Sequence, residues 1–187
     1  MTNIYEKCPI LENDNFLLRL IEEKDAKDLL EVYGNKHTLP YFNSDNCNGD
    51  NFYYPTEERM LEAIKFWLWE YEKKAYVRFS IVNKRDNKAI GTIELFNRRS
   101  KDYYNECGIL RLDVRSDFEE FTLLCEIMGI IIEPAYKLFG CFMIATKAPL
   151  YAVERAKALE KMSFHKSKRH LVGNYDTYGD YWIIRDK

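Results

Sequence analysis

Long apolar runs are missing from this chain. The longest, Met128 to Ile132, is stopped by Glu133 and Pro134, far short of the roughly 20 residues a membrane span needs. A cysteine pattern is missing as well. The five cysteines (Cys8, Cys47, Cys107, Cys125, Cys141) are odd in number and scattered, and no paired Cys or His spacing suggests a metal site or a disulfide framework. The third absence is an excess of one charge. Lys and Arg total 28 against 30 Asp and Glu, a net charge of -2, so no basic field draws nucleic acid by counterion release. Short basic runs at Arg98, Arg99 and Lys101, and at Lys166, Lys168, Arg169 and His170, lack the interleaved stacking aromatics of a single-strand binder. The opening residues, Met-Thr-Asn-Ile-Tyr-Glu-Lys, carry an acid and no apolar core, and so do not read as a signal peptide. The unpatterned cysteines fit a reducing cytoplasm.

What is present is the composition of an ordinary globular protein, 47% apolar and 31% charged. Aromatics reach 15%, with 14 Tyr and 11 Phe; they suit half-buried sheet faces and pocket walls, or plain core. The 187 residues fit a single domain, and a chain of this size buries roughly 70% of its unfolded surface without staples. We see no repeat, low-complexity segment or linker that would divide it.

Periodicity places the elements. Phe16 to Leu20 reads as a strand, and after Asp25 the residues Ala26, Leu29, Leu30, Val32 and Tyr33 recur at helical spacing. Residues 34–55 hold no period and read as a loop, with a short helical turn near Leu39 to Phe42. Thr56 can cap a helix that opens on Glu57 and Glu58 and runs to about Lys74. Tyr76 to Asn83 and Ala89 to Phe96 form a hairpin across a polar turn, and Glu106 to Val114 is a third strand. A long helical stretch from about Glu119 to Phe139 is expected to kink or end at Pro134, with Gly140 as its stop. Phe142 to Thr146 reads as a buried strand, Val153 to Met162 as a helix, and Lys168 to Arg185 as two strands across the turn Asn174 to Gly179. The order is β-α-α-β-β-β-α-β-α-β-β.

That order, with local motifs spread over residues 14–186, resembles the GNAT superfamily of N-acetyltransferases. Leu18-Arg19-Leu20 followed by Lys24 to Leu29, Ile90-Gly91-Thr92-Ile93-Glu94-Leu95, Glu106 to Leu112, Leu159 to Phe164, and Tyr178-Gly179-Asp180-Tyr181-Trp182-Ile183 carry the likeness. Pro55-Thr56-Glu57-Glu58 is similar to the branch that acetylates ribosomal-protein N-termini and some antibiotics. The resemblance implies an α/β (α+β) domain over 1–187. Its central sheet is mixed, mostly antiparallel, with six to seven strands flanked by helices and with the fourth and fifth strands splayed. It also implies acetyl-CoA as cosubstrate, its arm lying in the splayed gap beside Leu110, Arg111 and Leu112. The pyrophosphate would then sit on the loop of Arg115, Ser116, Phe118, Glu120 and Phe121, where amides at a helix N-terminus hold an anion.

This loop departs from the family pattern. The two positions where the family places glycine are Phe118 and Glu120, whose side chains are expected to crowd the phosphates. Asp117, Glu119 and Glu120 add like charge, worth about 1 kcal/mol per contact near 5 Å even when strongly screened; the same acids also favour a helix start. The resemblance makes Glu94 and Glu106 candidates for the base, though each also reads as a carboxylate on a half-exposed strand. The family's acid and its cofactor-holding Asn fall at Leu159 and Ala152, with Tyr151 the adjacent substitute or a packing residue. Amides near Ile109 to Leu112 would meet the oxyanion. His37 is either a substrate-side group or a plain loop histidine. Asp45, Asp50, Phe52, Tyr53 and Tyr54 would suit a cationic amine. Two functions are expected from these residues: N-acyl transfer to a primary amine of a small molecule or peptide N-terminus, or a binding module that has lost catalysis. Neither a nucleic acid nor a membrane partner is expected, and the chain would be a monomer or a homodimer.

Overall fold

A computed structural model describes residues 3–186. Strands β1 (Leu11–Glu12), β2 (Phe16–Leu20), β3 (Val77–Asn83), β4 (Lys88–Arg98), β5 (Cys107–Val114), β6 (Met143–Lys147), β7 (His165–Lys166) and β10 (Tyr181–Arg185) form one sheet, ordered β1-β2-β3-β4-β5-β6-β10-β7. β8 (Leu171–Val172) and β9 (Thr177–Tyr178) make a separate ribbon. The sheet has eight strands rather than six or seven because two-residue strands border both edges. Two residues are too few to display a period of two. Among the described residues, all neighbours in the sheet are antiparallel except β5 and β6.

Alternation gives the sheet two unlike faces. Leu18, Phe79, Ile93, Leu95, Leu110 and Leu112 share the apolar face with α3 (Phe121–Phe139) and α4 (Val153–Lys161). Each such buried side chain is worth roughly 1.5–3 kcal/mol. The other face carries one apolar cluster with α1 (Ala26–Tyr33) and α2 (Glu57–Glu72) and another around Tyr104, Ile109 and Tyr181. On that same face the cross-strand register sets Arg78 opposite Glu94, Glu94 opposite Arg111, and Thr92 opposite Asp113.

Two helix ends follow the expected chemistry. The Thr56 side chain accepts from the Arg59 amide at 3.2 Å, and Gly140 closes α3 in the left-handed region at φ 60°. The helix does not end at Pro134: α3 runs through it from Phe121 to Phe139. Ile127, Met128 and Ile131 before the proline, and Ala135 and Phe139 after it, are all buried on the sheet. That burial outweighs the roughly 3 kcal/mol that an interior proline costs.

The parallel pair positions the site. β5 and β6 stay in register from Cys107 opposite Met143 to Leu110 opposite Thr146. Beyond this point β5 continues to Val114, so the two strands part and leave a gap. Residues 34–55 form a strap over the polar face, with a 3-10 turn at Leu39–Tyr41 as expected.

Candidate active site

On the β5 side of the gap between β5 and β6, one side chain from α4 joins three segments. Arg155, 2% exposed, donates from Nη1 to the Leu112 carbonyl of β5 and to the Tyr41 carbonyl of the strap, both at 3.0 Å. Its Nε and Nη2 grip both carboxylate oxygens of Glu119 at 2.8 and 2.6 Å. The expected cofactor strand is therefore engaged: Leu110 and Leu112 point into the apolar core, and the Leu112 carbonyl is taken by Arg155.

The loop before α3 is tightly wound. Ser116 to Phe118 make a 3-10 turn, in which the Phe118 amide donates to Arg115 at 2.9 Å and the Glu119 amide to Ser116 at 3.3 Å. Phe118 does not crowd the mouth of the loop as expected. Its ring turns inward and meets Phe16 edge-on at 6.2 Å, because an aromatic at this point gains more from the core than from water. Glu120 caps α3, its carboxylate accepting from the Thr122 amide at 3.4 Å. Arg115 holds Asp117 through two bonds, at 2.6 and 2.9 Å, and Glu31 at 2.7 Å; hydrogen bonding to Asp117 is the main reason its pKa is raised. Ser116 is exposed and Phe121 half-buried.

Behind the gap lies a buried charge cluster. Arg78 sits between the Trp67 and Phe52 rings, 4.0 and 5.4 Å from their centroids. It donates to Glu94 and, at 3.3 Å, to Asp113. Tyr33 donates to Asp113 at 2.8 Å. Arg111 donates to Glu94 at 2.5 Å and to the Asp45 carbonyl at 2.8 Å. Burial opposes ionisation of Glu94, yet Arg111 and Arg78 hold its carboxyl below the ordinary range. Burial dominates at Asp113 and raises its pKa against the pull of Arg78. Glu94 is thus the counter-ion of two guanidiniums, with both oxygens occupied. Asp45 in turn holds Lys147 at 2.7 and 2.8 Å and accepts from Tyr181 at 3.2 Å. A cavity of about 350 Å³ adjoins this cluster, lined by Asp45, Phe96, Arg98, Ile109, Arg111 and Tyr181 among others.

The remaining candidates separate by position. Tyr151 stands beside the gap, edge-on to Tyr41, its hydroxyl donating to the Pro40 carbonyl; desolvation and Tyr41 raise its pKa. Glu106 precedes β5 at the end away from the gap and pairs with Arg99 at 2.5 Å. Leu159 and Ala152 are buried. His37 is exposed. Phe52 and Tyr54 belong to the core under α2 rather than to an open wall, and Tyr54 donates to Asp50 at 2.8 Å. Sequence reasoning missed Arg78, Asp113, Lys147 and Arg155. A signal existed for the first: Arg78 and Ser80 share a strand face with Glu94 across the hairpin, a polar stripe too long for a surface that α1 and α2 must cover. Arg155, in Val-Glu-Arg-Ala-Lys, looks like any solvent-facing helical arginine.

A mixed sheet whose one parallel pair parts midway, with a long helix leaving the parting strand, is the fold of the GNAT acetyltransferases. No family profile and no curated protein matches the chain, but solved structures do. The ribosomal-protein-S5-alanine acetyltransferase of Vibrio fischeri is 19% identical with a TM-score of 0.67, covering 94% of each chain. The Salmonella typhimurium acetyl transferase that modifies the N-terminal serine of 50S ribosomal subunit protein L7/L12 is 11% identical at TM-score 0.68, covering 96% of this chain and 100% of that one. Mycobacterium smegmatis RimJ in complex with CoA-disulfide is 12% identical at 0.68, covering 94% and 84%. At these identities the likeness establishes the fold.

Proposed function

We propose that this chain is an acyl-CoA-dependent N-acyltransferase that moves an acetyl group from acetyl-CoA to a primary amine, of a peptide N-terminus or a small molecule, by direct attack in a ternary complex in the cytoplasm. The observation that carries this reading is the parting of β5 from β6 after Leu110 and Thr146. Such a gap gives an extended pantetheine arm room between two strands, and the RimJ structure of the same fold was solved with a CoA species. The ribosomal-protein-S5-alanine acetyltransferase and the acetyl transferase that modifies the N-terminal serine of L7/L12 support a peptide amine as acceptor.

The amine nitrogen attacks the thioester carbonyl, the C–S bond breaks, one amine proton leaves, and the thiolate takes up a proton. Tyr151 is the candidate that stands by the gap, and we assign to its hydroxyl the protonation of the thiolate. Glu94 is locked by Arg78 and Arg111, so the amine proton leaves through water. The strap and the cavity by Arg111 and Tyr181 hold the acceptor.

A second reading, a GNAT-fold module that binds without catalysis, is favoured by one observation: Arg155, paired with Glu119, takes the Leu112 carbonyl of β5. Calorimetric titration with acetyl-CoA, and with dephospho-CoA as control, decides between the two. Acetyl-CoA is expected to bind. An absence of heat at millimolar ligand selects the non-catalytic module.

A further inference from the structure

Arg155 ties together three segments that are far apart in the chain. Tyr41 belongs to the strap, Leu112 to β5, and Glu119 to the loop before α3. The strap is pinned at three more points, all from the walls of the gap. Tyr151 donates to the Pro40 carbonyl, Arg111 to the Asp45 carbonyl at 2.8 Å, and Lys147 holds the Asp45 carboxylate at 2.7 Å. Residues 40–45 are therefore fastened to β5, to β6 and to the segment that enters α4.

The Arg155 and Glu119 side chains are only 2% and 8% exposed. A guanidinium so far from water is strongly destabilising when its partner is removed. Loss of the Glu119 contact thus drives Arg155 out of this buried position, and the bonds to Tyr41 and Leu112 go with it. We propose that the Arg155–Glu119 pair is a latch: closed, it ties the strap at Tyr41 to β5 beside the gap, and its release loosens the strap there while Tyr151, Arg111 and Lys147 still anchor it. The identity of the molecule that opens it, an acyl thioester of CoA, rests on the acyltransferase reading. The coupling of the pair to the strap does not.

Amide hydrogen exchange over residues 41–54 tests the latch. Glu119→Gln removes the charge and keeps the shape. Arg155→Met combined with Glu119→Leu replaces the pair by apolar volume, so that a folded protein is retained if one variant proves unstable. Exchange in the strap is expected to rise about tenfold in both, with β3 and β4 amides unchanged. Unchanged strap exchange overturns the latch, and so does an equal rise across the whole sheet, which would mark a merely structural pair. Acetyl-CoA added to the wild-type protein should likewise speed strap exchange; binding that leaves the strap protected overturns the latch, because the donor has entered with it shut. If acetyl-CoA binds neither wild type nor Glu119→Gln, the acyltransferase reading fails, and the two variants' exchange alone judges the latch.

Discussion

Arg78 shows what a buried charge demands of its neighbours. The strand places it opposite Glu94, α2 lays Trp67 over it, and β5 brings Asp113 within 3.3 Å. Its pKa is pushed up by Glu94, Tyr33 and Asp113 against the opposing effect of burial. Removing it takes a guanidinium from two buried carboxylates, leaving Glu94 with Arg111 and Asp113 with the Tyr33 hydroxyl. Arg78→Met should therefore cost about 3 kcal/mol, read from the urea midpoint; a loss under about 1 kcal/mol would show that the cluster rearranges without it. Tyr151 makes a different prediction. If its hydroxyl protonates the leaving thiolate, Tyr151→Phe lowers turnover roughly a hundredfold while acetyl-CoA affinity holds. Full turnover in that variant removes the assignment.

At the scale of elements, α3 is the least expected feature. It carries Pro134 in its interior and still spans 19 residues. Restoring the amide in Pro134→Ala should stabilise the protein by about 1 kcal/mol or more, since the backbone is already helical there and the missing bond to Ile130 can form. No gain in the thermal midpoint would mean that the helix had relaxed around the proline. At the other end of the same helix, Gly140 takes φ 60°. A side chain there should cost roughly 1 kcal/mol in Gly140→Ala, measured by the same melt. The loop at the start of α3 was legible as a departure from the family pattern, yet its consequence was not. Phe118 turns into the core because Phe16 lies beneath it, a contact across a hundred residues that no local spacing announces.

At the scale of the whole molecule, carboxylates fasten distant segments. Asp102, in the turn after β4, takes bonds from Arg98 and from the Val172 amide of the ribbon. Burial opposes its charge, but these bonds hold its pKa at about 2. The folded value lies below the ordinary one, so its contribution is present at neutral pH. It begins to fade below about 4 and is gone as the pH falls past the folded value. Asp102→Asn should flatten the acid limb of the stability curve between those two values; an unchanged limb would place the acid sensitivity elsewhere, in Asp25 or Glu94, whose pKa values are also lowered.

Much of this architecture was legible from local pattern. Alternation marked β3, the polar turn marked the hairpin with β4, helical spacing marked α1 and α2, and Thr56 and Gly140 marked helix ends; these are short-range properties, carried by neighbours a few residues apart. The chain order was enough to point to the GNAT fold. The site was legible only in part. Tyr151 and the loop of residues 115–121 were singled out by position. Whether Glu94 was a surface carboxylate or a base could not be read, because that depends on Arg78 and Arg111 arriving from two other strands. By itself the sequence determined the longer strands and the helices, since burial of one face needs only a period; the two-residue strands β1, β7, β8 and β9 are too short to show one. The tertiary structure alone decided that Glu94 is a counter-ion and that Arg155, an ordinary helical arginine on paper, joins the strap, β5 and the loop before α3. A charge acquires its role from the partners that the fold brings within about 3 Å once water is excluded.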